Sequence, residues 1–74
     1  DYSILEMRAA DSMIGKNLKE LDIRARFGCN VMAIRRNQEM NISPYAEDRL
    51  EAGDVLVIVG HKDDLTKLEL AFAA

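Results

Sequence analysis

Residues 4 to 9 open on the apolar pair Ile4 and Leu5 and then alternate, with Leu5 and Met7 set against Glu6 and Arg8. A period of two predicts a strand with one wet face. Asn17 followed three residues later by Glu20 is a capping box, in which the amide takes a free backbone N–H and the carboxylate reaches back to the cap. A helix should start there. Leu18, Leu21 and Ala25 form one apolar stripe, and Gly28 supplies the left-handed conformation that commonly ends a helix, so a single helix is expected from Leu18 to Phe27.

Asn30 to Arg36 is rich in apolar residues and runs into the polar turn Arg35, Arg36, Asn37, Gln38, which predicts a hairpin with a second strand over Met40 to Ser43. Pro44 lacks an amide donor and biases Ser43 toward an extended conformation, so the second strand should be short or lie at an edge. Ala52-Gly53-Asp54 marks a further turn before Val55 to Val59, a run of branched apolar residues expected to form a central strand covered on both faces. Asp63 or Asp64 can cap a last helix in which Leu65, Leu68 and Phe72 share a face. The predicted order is strand, helix, three strands, helix. This is an α/β fold of the α+β type, a small sheet of about four strands with two helices.

With 74 residues the chain supports one core, because so short a chain buries only roughly 60% of its unfolded surface. At 49% hydrophobic and 31% charged it has the make-up of a folded domain. A net charge of -3 offers no general attraction to a nucleic-acid polymer or an anionic lipid surface. The longest apolar run is too short to enter a bilayer as a span, and the start carries no basic leader. These features predict a cytoplasmic domain, and the abrupt start predicts a piece of a longer protein.

One cysteine and one histidine, Cys29 and His61, make neither a disulfide nor a four-ligand metal site, and their separate strands make no nucleophile and base pair. No enzyme and no metal are expected. The four glycines are isolated and form no phosphate loop. The informative segment is Val31 to Pro44. Read as a regular strand, Met32 and Ile34 would fill the core while Val31 and Ala33 form a shallow apolar floor bordered by Arg35. A guanidinium beside such a floor suits a ligand that is flat and apolar at one end and anionic at the other, such as a nucleotide. Asn41 adds an amide donor, with Ile42 and Pro44 as further apolar wall. An ordinary hairpin with charged turn residues fits the same pattern.

The run from Phe27 through Gly28, Cys29, Asn30, Val31, Met32, Ala33 and Ile34 to Arg35 and Arg36, then Asn41-Ile42-Ser43-Pro44, then Gly53-Asp54 with the strand to Gly60, and Asp64-Leu65, resembles the RCK C-terminal (TrkA-C) domain of KtrA-type potassium-uptake regulators. The similarity runs from Ile4 to about Phe72. It implies a single regulatory domain over residues 1–74, attached in the whole regulator behind a nucleotide-binding N-terminal domain and working in a ring on a membrane potassium transporter subunit. It also implies that paired lobes bind cyclic di-AMP at a two-fold interface, which inactivates uptake. Carried over, Arg35 would hold a phosphate, Asn41 would donate hydrogen bonds, and Cys29, Ala33, Ile42 and Pro44 would contact the adenine or the cleft wall. Arg36 is the next candidate if the strand phase is displaced by one. The competing expectation is a ligand-free module whose exposed strand face only pairs regulator subunits.

Overall fold

The computed structural model describes residues 1–73. Four strands form one antiparallel sheet: β1 (Tyr2–Arg8), β2 (Asn30–Arg36), β3 (Glu39–Ile42) and β4 (Val55–His61), in the spatial order β1-β4-β2-β3. The helical segments α1 (Leu18–Leu21), α2 (Ile23–Phe27) and α3 (Lys62–Phe72) cover one side of it. The predicted order of elements holds, β4 is an inner strand, and β3 is short and at an edge, as Pro44 required.

Local chemistry explains most element ends. Asn17 Oδ1 accepts from Glu20 N–H at 2.8 Å while Glu20 Oε1 accepts from Asn17 N–H at 2.9 Å, so the capping box starts α1. Gly28, at φ 71°, ends α2 in the left-handed conformation. Between them the expected single helix is broken. Asp22 sits at φ 50°, ψ 43°, closing α1 and opening α2. The break turns the stripe, so that Ile23 is buried beside Leu21 while Ala25, expected inside, is exposed. The last helix begins at Lys62 with His61 as its cap residue, and Asp63 and Asp64 lie in the first turn instead of capping it. There their charge suits the positive end of the helix dipole.

Two expectations for the strands change. β4 buries Leu56, Ile58 and Gly60 under the helices, but Val55, Val57 and Val59 on its other face are only half buried, so it is covered on one side. In β2 the register with β4 skips Met32: Val31 lies opposite Ile58, and Ala33 lies opposite Val57. This β-bulge changes the side-chain phase along the strand. Val31 and Ile34 therefore turn toward the core, Met32 is exposed, and Ala33 is buried outside the main core cluster. Ser43, expected to be extended, takes φ 56° and donates its N–H to the Met32 carbonyl at 2.8 Å, steering the chain away from β3.

The core is Met13, Leu21, Ile23, Cys29, Ile34, Leu50, Leu56, Ile58, Leu65 and Leu68, with Ala9 at its margin. The long connection from β3 to β4 is strapped along residues 15–19 by backbone bonds: Gly15 N–H to Leu50 O, Leu50 N–H to Lys16 O, Leu18 N–H to Asp48 O and Lys19 N–H to Ala46 O. Its path is fixed by that ladder.

Gly60 is required by closeness. A Cβ there would stand 2.6 Å from Cys29 Sγ and 3.2 Å from Cys29 Cβ. Gly60→Ala is expected to lower unfolding free energy by about 1–3 kcal/mol through overpacking, measured by urea denaturation. Combining it with Cys29→Ala should cost less than the sum of the two single changes.

Candidate functional site

The face of the sheet turned away from the helices is set by strand register. Tyr2 and His61 form one row. Ile4, Val59 and Asn30 form the next, followed by Glu6, Val57, Ala33 and Ile42, then Arg8, Val55, Arg35 and Met40. Tyr2 and His61 stack with ring centroids 4.4 Å apart. Ile4 is 65% and Ile42 71% exposed, and Met32 and Met40 are also exposed. The result is a broad apolar face with three charged groups, Glu6, Arg8 and Arg35, toward one end of it.

Two of these, Arg35 and Glu6, are paired. Arg35 Nη1 lies 3.3 Å from Glu6 Oε1, with side chains 39% and 58% exposed. Regular alternation from Ala33 through Ile34 puts Arg35 on this face, and the floor beside it is Ala33, Val57 and Ile42. Val31, expected in that floor, has turned inward.

The neighbouring arginine goes to the other side. Arg36 Nε and Nη2 donate to Asp54 Oδ1 and Oδ2, each at 2.8 Å, and Nη2 also donates to the Arg49 carbonyl at 3.0 Å. Glu51 Oε2 stands 3.1 Å from Arg36 Nη1. The Asp54 side chain is fully buried and also accepts from Glu51 N–H at 2.8 Å. The hydrogen bonds from Arg36 hold the Asp54 carboxyl below its ordinary range against the opposing effect of burial, and the same bonds push the guanidinium higher still. This fork joins the end of β2 to the turn before β4.

Asn41 lies on the helix-side phase of β3 and donates to Asp48 Oδ2 at 3.1 Å, which also takes the Tyr45 N–H at 2.8 Å. A cleft of about 590 Å³ runs between the β2–β3 hairpin and residues 48–51, with Ile34, Arg36, Asn41, Asp48 and Arg49 in its walls. A second groove of about 330 Å³ lies between α1, α2 and the start of β2, and contains Cys29, Val31, Pro44 and the rim cations Lys19 and Arg24. Burial, and then the nearby Asp64, push the Cys29 thiol up, so it stays protonated and behaves as an apolar wall. Among the described residues no cluster of three or more His, Cys, Asp or Glu is placed to hold a metal. No helix among them is long and apolar enough to cross a membrane.

The seven residues singled out from the sequence thus fall on three sides of one hairpin. Ala33, Arg35 and Ile42 share the open face, Arg36 and Asn41 line the larger cleft, and Cys29 and Pro44 line the smaller groove. No single concavity gathers them. Sequence reasoning missed Glu6, Asp48 and Asp54, the carboxylates that hold Arg35, Asn41 and Arg36. Glu6 and Arg35 are 29 residues apart, and only the β1–β4–β2 register brings them to one face.

A model of the TrkA-C domain family matches residues 4–73. The chain belongs to the TrkA-C domain family. Ktr system potassium uptake protein A of Bacillus subtilis (strain 168) is 38% identical over 69 residues, which are 93% of this chain and 31% of that protein. The K(+)/H(+) antiporter subunit KhtT of the same organism is 41% identical over 56 residues, 74% of this chain and 34% of that protein. The chain spans about a third of the length of these curated relatives. Among solved structures, the RCK C domain of potassium transport protein KtrA in complex with cyclic diadenosine monophosphate is 42% identical, with a TM-score of 0.91 over 96% of this chain and 84% of that one. The RCK C fold expected from the motifs is therefore the fold of this TrkA-C domain.

The Arg36–Asp54 fork makes stability depend on pH in a defined direction. With a folded-state pKa below the ordinary 3.8, Asp54 contributes stability that is present above about pH 4 and is lost as pH falls further. Urea unfolding followed from about pH 6 to about pH 2.5 should show this acid loss, and Asp54→Asn should flatten it. Arg36→Ala leaves a buried carboxylate without its fork and should cost about 3 kcal/mol, the low end for breaking a buried pair because Arg36 is half in water.

Proposed function

We propose that this TrkA-C domain is the ligand-sensing regulatory lobe of a cytoplasmic gating subunit for a potassium uptake transporter. In this reading, two copies bind one cyclic di-AMP across a two-fold interface, and binding inactivates transport. The observation that carries it is the match to the KtrA RCK C domain, which holds that ligand at 42% identity and a TM-score of 0.91. The domain has no catalytic task and no resident metal in this scheme. In this reading the lobe belongs to a larger regulator, with a nucleotide-binding domain ahead of it and a ring assembly; that the chain covers 31% of the Ktr relative supports the larger size.

The chain's own geometry supports a shared site. The candidate residues surround the β2–β3 hairpin without converging in one chain, which suits a site shared with a second copy. A two-fold symmetric dianion suits a two-fold interface, because each chain then offers one Arg35 guanidinium to one phosphate. Binding at such an interface favours whichever ring state contains that pairing, by as much as the ligand prefers it. The net charge of -3 disfavours a nucleic-acid polymer as partner.

A second reading is favoured by the open sheet face itself. Ile4, Met40 and Ile42 are exposed there, which also suits a ligand-free assembly module that only pairs subunits. Calorimetric titration of the chain with cyclic di-AMP, with mass followed by sedimentation, separates the two. The sensing reading predicts one ligand per two chains, stabilisation of the dimer, and a loss of more than about tenfold in affinity for Arg35→Ala. A dimer that takes up no ligand leaves the assembly module. Unchanged affinity in Arg35→Ala removes Arg35 from the site.

A further inference from the structure

Arg35 and Glu6 sit on strands that are not neighbours. β4 lies between β2 and β1, so at about 4.8 Å per strand the two backbones are roughly 10 Å apart. Their side chains meet only by leaning toward each other over the β4 row. Arg35 is paired across to Val55 and Glu6 to Val57, so the contact runs diagonally over the valines to bring Nη1 within 3.3 Å of Oε1. Two things follow. The cationic fork already holds an anion, and the arginine stem partly roofs the apolar ground beside it.

We propose that Glu6 sets how readily this site takes its ligand, as an internal carboxylate that holds Arg35 across the sheet until a phosphate displaces it. The proposal rests on the reading of Arg35 as phosphate anchor. The geometry suits a releasable clamp. Both partners are more than a third exposed and meet through one nitrogen and one oxygen at 3.3 Å, the kind of pair that holds weakly. A phosphate can take the same guanidinium through two parallel bonds. The contrast with Arg36 is direct: its two bonds of 2.8 Å to the buried Asp54 cannot be surrendered without stranding that carboxylate. Of the two adjacent arginines, only Arg35 is held by an exposed carboxylate alone.

The test is a titration of the chain with cyclic di-AMP in four forms: unaltered, Glu6→Gln, Arg35→Ala and the double variant, with weak binders measured by displacement and folding checked by thermal unfolding. Glu6→Gln keeps the shape of the side chain and removes its charge. Affinity should rise about two- to fivefold in the presence of Arg35, the amount a surface ion pair is worth, and should not change in the Arg35→Ala background. Equal or weaker binding by Glu6→Gln overturns the proposal while leaving the ligand reading intact. The same gain in both backgrounds overturns it too, since Glu6 would then act as a general charge and not through Arg35. Absence of binding to the unaltered chain defeats the ligand reading and this proposal together.

Discussion

One unpaired residue in β2 decides what the two faces of this sheet carry. Had β2 run on without the bulge at Met32, Val31 and Ile34 could not both have faced the helices, because adjacent side chains alternate. The register skips Met32 between Val31 and Ala33. Val31 then adds to the core with Ile34, and Ala33 and Arg35 emerge together on the open side. A small residue next to a long cationic one is thereby set against Val55 and Val57 of β4. On the β3 side of the strand, the Met32 carbonyl accepts the Ser43 N–H.

The same alternation sends Arg35 and Arg36 to opposite fates. Arg36 goes to the helix side and is consumed by architecture, fixing the turn before β4 through Asp54. Arg35 goes to the open face and meets only a solvated carboxylate. An arginine bound to a buried acid is a brace, whereas one bound to an exposed acid is available to any better anion. Under the proposed function this difference separates structural from functional chemistry in a TrkA-C domain whose solved relative holds a cyclic dinucleotide.

Much of the fold was legible because it is written in short patterns. The Asn17–Glu20 box, the Gly28 cap, the β2–β3 hairpin, the edge position forced by Pro44 and the Leu65, Leu68, Phe72 stripe each depend on residues a few positions apart. The break at Asp22 was hidden, since Leu18, Leu21 and Ala25 fit one uninterrupted helix as well as any stripe does, and only packing selects Ile23. The bulge was hidden for a similar reason: Val-Met-Ala-Ile carries no glycine to mark the irregularity. Of the candidate site, the residue types were readable, and so was the shared facing of Ala33 and Arg35, whereas the facing of Val31 and Met32 was not. The carboxylates that hold them lie 18 and 29 residues away for Arg36 and Arg35, and a one-residue change of register moves a side chain from one face to the other.

The central claim is that Arg35, on the open face of β2, is the anion anchor of a site completed by a second copy. A crystal structure of the chain grown with cyclic di-AMP tests it most directly. The account predicts one ligand on a two-fold axis, with each chain's Arg35 guanidinium on a phosphate and withdrawn from its own Glu6. A ligand seated within a single chain, with Arg35 still on Glu6, would contradict it.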